Sequence, residues 1–174
     1  MDAVAGLGPA TVRLAFPPEP RLLGTVRLVV GIVARKAGMG AEGIEDLKVA
    51  VSETCAVAVG DLVRAGRRDP IEIDLVEAPD RFGIEVRDRA PAPARSGGPG
   101  DGEVDDRELG LALVGALVDD LKTSTLQDGG NRTSFWLRRD PSEPGGLGLS
   151  PPDPLARGGL GMSRPDPDLP PPLT

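Results

Sequence analysis

The sequence predicts an α+β fold, a two-layer sandwich in which helices cover one face of a mixed or antiparallel sheet. Apolar residues recur with a helical period in three segments and with a period of two in five shorter ones, in the order β-α-α-β-β-loop-α-β-β. Neighbouring strands joined by short turns are typical of antiparallel hairpins. A sheet built from such hairpins buries one face under its helices, which is the arrangement of the α+β class.

The first half of the chain is predicted to form one strand and two helices. Alternating Val12 and Leu14 indicate a strand over residues 11–16, and the prolines that follow predict a helix that continues to Lys36. The helical pattern is clearest over residues 41–65. The apolar residues of this segment fall within an arc of about 80° on the helical wheel, inside the ~100° width of a core-facing stripe. They are Ile44, Leu47, Val51, Cys55, Ala58 and Leu62.

The second half of the chain is predicted to form the other strands and a third helix. Alternation indicates strands over residues 70–77, 81–87, 122–126 and 132–138. A helix is expected over residues 108–121, with a buried face made of Leu109, Leu113, Ala116, Leu117 and Leu121. The preceding segment, 89–107, has seven Gly or Pro among 19 residues. A structureless loop of that length inside a domain is usually a lid, a binding loop or a disordered segment.

Glycine and proline make up 43 of the 174 residues, and their distribution divides the chain. Sixteen of them fall within the last 35 residues, which carry five acidic and two basic side chains. Segments of this composition cannot bury enough apolar surface to fold. The sequence therefore predicts one folded domain over residues 1–139 and a disordered Pro/Gly-rich tail over residues 140–174.

The composition also excludes several classes of function. The chain has no histidine, which rules out a Ser-His-Asp triad and a His-ligated metal, and its single cysteine rules out an internal disulfide. That residue, Cys55, lies on the apolar stripe and is predicted to be a core residue rather than a reactive thiol. The net charge of −7 argues against direct nucleic-acid binding. Because no apolar run suits a membrane span or a signal peptide, a cytoplasmic protein without membrane contact is expected.

The element order and the text of the second helix resemble a known family. The segment IEDLKVAVSETC, residues 44–55, is similar to the second helix of bacterial anti-sigma regulatory factors, the serine-protein kinases of the RsbW and SpoIIAB type. The proline stretch at residues 18–20 and the segment LGLALVGALVDDL at residues 109–121 fit the same family. The predicted element order, with a long glycine-rich loop before the third helix, resembles that of the GHKL ATPase fold. The resemblance covers residues 11–139 and implies that fold.

The resemblance implies roles for two positions one turn apart on the second helix. In the family this helix carries a glutamate that acts as general base, which Glu53 matches, and an asparagine four residues later that binds magnesium. Val57 stands at the second position here. An isopropyl group cannot ligate magnesium, which takes oxygen ligands. The alternative interpretation of Glu53 is a solvated surface carboxylate.

The nucleotide-binding motifs that the resemblance implies are only partly present. The family's Asp-x-Gly, whose aspartate binds the adenine amino group, reads DRA at residues 88–90, and its Gly-Leu-Gly-Leu reads ELGL at residues 108–111. A final Gly-Thr motif is matched only at its threonine. The nucleotide-binding candidates are Asp88, Ala90, Gly110, Leu111 and Thr133. A strand-end turn residue at 88, a close-packing glycine at 110 and turn chemistry at 133 are the structural alternatives.

These departures predict a retained fold with weakened or lost ATP and magnesium chemistry. The resemblance implies an anti-sigma regulatory factor of the stress-response type, a homodimer that sequesters a sigma factor and is countered by an anti-anti-sigma partner. One alternative is an active ATP-dependent serine-protein kinase, with Glu53 as its base and other oxygens holding magnesium. Another is an interaction module unrelated to sigma factors.

Overall fold

The computed structural model of the protein describes residues 12–92, 106–127 and 129–139. The predicted tail and most of the predicted loop lie outside these residues. The described elements follow the predicted order: β1 (Val12–Phe16), a 3-10 turn (Pro20–Leu22), α1 (Leu23–Lys36), α2 (Ala41–Arg64), β2 (Ile71–Glu77), β3 (Arg81–Asp88), α3 (Asp106–Leu117), β4 (Asp119–Thr125) and β5 (Asn131–Arg138).

The strands form one sheet in the order β1-β2-β3-β5-β4, and every neighbouring pair is antiparallel. Of the two arrangements predicted, the antiparallel one is therefore correct. Ile73, Ile84 and Phe135 are fully buried on the face that α2 covers. The α+β sandwich predicted from the periodicity is confirmed.

The second helix supplies most of the helical side of the core. Its predicted stripe is confirmed, because all of its members are buried: Ile44, Leu47, Val51, Cys55, Ala58 and Leu62. α1 packs beside it and adds Val26, Val30 and Ala34 to the same core. Among the helices in the described part of the chain, none combines the length and the apolar character that crossing a bilayer requires.

The third helix differs from its prediction in both its end and its buried face. It ends at Leu117, and Leu121 belongs to β4. Leu109 and Leu113, predicted to face inward, are 61% and 43% exposed, whereas Gly110 and Val114 are buried. The reason is that α3 approaches α2 through Gly110, which turns the leucine row away from the core.

The second face of the sheet carries a ladder of charged side chains. Arg13 donates to both carboxylate oxygens of Asp74, and Arg87 bonds Asp74 and Glu85. Asp74 and Glu85 are buried although none of the described helices covers this face, because the long arginine side chains lie over them. The hydrogen bond from Arg13 holds the pKa of Asp74 below its usual value, against the opposing effect of burial.

Candidate functional site

The α2 face that meets α3 carries the position matched to the family's base. Glu53 and Val57 are one turn apart and lie against Gly110 of α3. A Cβ at residue 110 would lie 3.3 Å from Val57 Cγ2 and 3.7 Å from Glu53 Oε2. Glu53 is half-buried beside Gly110. The missing side chain of Gly110 lets the two helices approach each other.

An ion pair closes the same face one turn further along α2. Asp61 follows Val57 by four residues and is buried, and its carboxylate pairs with Arg107 in the first turn of α3. Arg64 also bonds Asp61, at 2.8 Å, from a side chain that is 72% exposed. Partial burial lowers the pKa of the Arg107 guanidinium. The ion pair between Arg107 and Asp61 therefore fixes the start of α3 against α2.

At position 57, this face has no oxygen atom that could ligate magnesium. Position 57 contributes only a methyl group packed near Gly110, and the nearest carboxylate beyond it, Asp61, is engaged by two arginines. Within the described ranges, no group of three or more His, Cys, Asp or Glu side chains could hold a metal ion. Magnesium prefers near-octahedral oxygen coordination. The residues of this face thus do not fit a magnesium site built through position 57.

The adenine-binding candidate Asp88 lies at the end of β3 and is largely buried. Its Oδ1 accepts hydrogen bonds from the Ala90 backbone N–H at 2.8 Å and from Asn131 Nδ2 at 3.0 Å. The backbone of Asn131 also hydrogen-bonds this carboxylate. Burial raises the pKa of Asp88, and these hydrogen bonds oppose the rise. Donors of the chain itself therefore already form hydrogen bonds with the carboxylate that would receive the adenine amino group.

The turn before β5 packs closely against the backbone at the end of β3. Gly130 has a φ of +94°, and a Cβ there would lie 2.2 Å from the carbonyl oxygen of Asp88. Thr133 is buried two residues beyond Asn131 and pairs with Val86 of β3, so it lies on the Asp88 side of the sheet. Ala90 is fully buried. The structure thus brings together Asp88, Ala90 and Thr133 around β3 and β5.

The remaining candidates belong to the helical side of the site. Gly110 lies against Glu53, and Leu111 follows it as a half-buried residue of α3. The five nucleotide-binding candidates and Glu53 therefore divide into a helix–helix group and a strand-end group.

Sequence reasoning missed three residues that shape this site, namely Asp61, Arg107 and Asn131. Asp61 could have been found, because it continues the row of Glu53 and Val57 at the same four-residue spacing. Arg107 and Asn131 could not, since each depends on a contact between segments that are distant in the chain. The helix packing sets the first contact, and the register of β3 with β5 sets the second.

The buried thiol of Cys55 provides a direct test of the packing under this site. Cys55 is fully buried and burial raises its pKa to about 12, so little thiolate forms at neutral pH. We expect native protein to react with a thiol-specific disulfide reagent at least ~100-fold more slowly than the unfolded chain. Absorbance of the released thiol measures both rates. Equal rates in buffer and in denaturant would contradict the buried position.

Comparison with known proteins agrees with this architecture. The sequence profile of the histidine kinase-like ATPase domain matches residues 16–137. Serine-protein kinase RsbW of Halalkalibacterium halodurans is 32% identical over 132 residues, which span 70% of this chain and 79% of that protein. RsbW of Bacillus velezensis is 31% identical over 125 residues, 66% of this chain and 78% of its own. RsbW of Bacillus licheniformis is 29% identical over 122 residues, which span 64% of this chain and 76% of that protein. The chain therefore belongs to the histidine kinase-like ATPase domain family, in the group of the RsbW serine-protein kinases.

Proposed function

We propose that this protein is an anti-sigma regulatory factor that sequesters a sigma factor, is countered by an anti-anti-sigma protein, and has weak or lost ATP and kinase chemistry. The observation that carries the second half of this proposal is Val57, a hydrocarbon side chain at the position of the magnesium ligand. Family membership supports the proposed roles of the sigma factor and the anti-anti-sigma protein. We also propose that the protein acts in the cytoplasm, in stress-dependent transcription, as a homodimer.

The geometry of both groups supports weak nucleotide binding. On the helical side, Val57 and Gly110 are in close approach and Arg107 is held by Asp61. At the strand end, the Asp88 carboxylate is already hydrogen-bonded by the chain. Glu53 keeps the position of the general base, but phosphoryl transfer depends on a metal that bridges the phosphates. Because phosphoryl transfer needs this metal, a general base alone does not support kinase activity. Partner binding is then the activity that the protein retains.

Titration calorimetry with Mg-ATP tests the loss of nucleotide chemistry. We expect the full chain to bind Mg-ATP with a Kd weaker than about 1 mM. We expect Val57→Asn, which returns an oxygen ligand, to tighten binding about tenfold in the presence of magnesium and not in its absence. Val57→Ala is the matched control, because it makes room at the same place without adding an oxygen.

The competing function is an active serine-protein kinase with a variant metal site. Micromolar binding of Mg-ATP by the unaltered chain, abolished by Asp88→Asn, would establish that function and contradict ours. Transfer of labelled phosphate to an anti-anti-sigma protein, if it is lost in Glu53→Gln, would also contradict our proposal that kinase chemistry is weak or lost.

Partner capture tests the regulatory half of the proposal. The tagged full chain, purified from its native cell, is expected to retain a sigma factor equally well with and without added ATP. Mass spectrometry identifies the retained protein. Repeated recovery of neither a sigma factor nor an anti-anti-sigma protein would contradict the proposal and favour an unrelated interaction module.

A further inference from the structure

We infer that the outer groove between α1 and α2 is a docking site for an amphipathic helix of a partner protein, with an apolar stripe flanked by acidic side chains. The inference rests on the proposed function only in that the protein acts by holding a protein partner. The groove lies on the outer surface of the helical layer, and its lining includes neither Glu53 nor Asp88.

The groove is large and apolar at its centre. It has a volume of about 660 Å³ and is lined by Leu28, Gly31, Ile32, Arg35, Lys36, Ile44 and Lys48. Leu28 and Ile32 are 61% and 53% exposed although they are aliphatic, and they lie one turn apart in a single row along α1. Exposed aliphatic side chains that share a concave surface are typical of a protein interaction site.

Gly31 gives the groove its depth. A Cβ at residue 31 would lie 2.7 Å from Lys48 Cε and 3.7 Å from Ile44 Cγ2. The absence of a side chain on α1 therefore lets the stem of Lys48 cross from α2 and bring its ammonium group to the groove. Lys48 also forms a 2.7 Å ion pair with Glu45, whose side chain is largely exposed.

The charge of the groove is opposite to that of the chain. Its lining includes three basic and no acidic side chains in the part of the chain that the structure describes, whereas the whole chain carries a net charge of −7. α1 contains no acidic residue at all. Arg35 and Lys36 also favour the helix C-terminus, but Lys48 lies in the interior of α2 and has no such role. A positive rim around an apolar floor is complementary to an acidic amphipathic segment.

The shape of the groove favours a helix as the occupant. The distance along α1 from Leu28 to Lys36 is about 12 Å, the length of roughly two helical turns. An amphipathic helix can place apolar residues at spacings of three and four against Leu28 and Ile32 and its acidic flanks against the lysines and arginine.

A labelled peptide tests the inference on the full chain. The probe is a fluorescein-labelled amphipathic peptide of about 18 residues, with leucines on one helical face and glutamates on both flanks. A control peptide has the same sequence with lysine in place of every glutamate. Fluorescence anisotropy is expected to show at least ~tenfold tighter binding of the glutamate peptide. Added salt is expected to weaken that binding, because exposed charges are screened.

Two matched variants place the binding in the groove. Ile32→Glu is expected to weaken binding of the glutamate peptide at least ~tenfold, since it brings a carboxylate to the apolar floor. Val63→Glu changes an equally exposed aliphatic residue at the far end of α2, outside the groove, and is expected to leave binding unchanged. Both sites are exposed, and circular dichroism checks that both variants fold.

Other outcomes would overturn the inference. Absence of peptide binding, equal binding of the lysine peptide, or equal loss in both variants would each do so. If sedimentation shows a dimer that Ile32→Glu converts to a monomer, the groove belongs to a second copy of the chain instead. If the unaltered chain captures a sigma factor but does not bind the glutamate peptide, the groove inference is wrong and the proposed function stands. If the peptide binds in the groove and no sigma factor is captured, the function fails and the groove stands.

Discussion

Replacing Asp61 with alanine is expected to lower the free energy of unfolding by about 3 kcal/mol, because it takes a partner from a largely buried guanidinium. The Asp61 side chain is 9% exposed and that of Arg107 is 15% exposed, so the charge of Arg107 cannot be fully rehydrated in place. Urea unfolding followed by circular dichroism measures the change. Amide hydrogen exchange at the start of α3 is expected to accelerate in the same variant, since this pair fixes that end.

Arg64→Ala is the matched control for this substitution. Arg64 bonds the same carboxylate, but its side chain is 72% exposed, and an exposed ion pair contributes only about 0–1 kcal/mol. A loss below ~1 kcal/mol is therefore expected. If Asp61→Ala and Arg64→Ala destabilise the protein equally, the contact with Arg107 does not hold α3 against α2.

Replacing Gly130 with alanine is expected to lower the free energy of unfolding by about 3–4 kcal/mol. The φ of +94° disfavours any L side chain, and the added Cβ would lie 2.2 Å from the Asp88 carbonyl oxygen and 3.0 Å from Arg89 Cα. Both obstacles are backbone atoms, so no side-chain rotation relieves the contact. The end of β3 must move instead, and the hydrogen bonds of Asp88 must change with it.

Gly129→Ala separates backbone conformation from contact. Gly129 has a φ of +83°, but a Cβ there would meet nothing within 4 Å. Only the conformational cost of about 1–2 kcal/mol is expected, and thermal unfolding of the two variants measures the difference. A Gly130→Ala chain that fails to fold beside a folded Gly129→Ala chain agrees with the prediction. Equal melting temperatures would contradict the contact between the turn and β3.

The elements of this fold follow closely from local sequence patterns. The predicted 41–65 helix is observed as Ala41–Arg64, and the predicted 81–87 strand as Arg81–Asp88. These segments have one strongly apolar face, so periodicity alone locates them. The prediction was wrong for the buried face of α3, where several leucines compete. Instead, α3 packs against α2 through Gly110, a residue without a side chain. A count of apolar side chains does not identify such a contact.

Much of the candidate site could be located from the sequence, but the hydrogen-bond partners of its residues could not. The motif matches placed Glu53, Asp88 and Thr133, and the absence of an oxygen at Val57 is visible in the sequence itself. How much hydrogen-bond accepting capacity the Asp88 carboxylate has left for a ligand depends on Asn131, which is 43 residues away in the chain. A long-range partner of this kind leaves no periodic signal.

The sequence by itself determined the fold class, the family and the absence of an oxygen at position 57, because each depends on residue types at fixed spacings along the chain. Only the tertiary structure decided which groups close the site and which surface is left open. The ion pair of Asp61 with Arg107 and the groove beside Ile32 both arise where two helices meet. The distance and rotation between packed helices depend on small residues such as Gly110 and Gly31, through backbone approach rather than through any local pattern.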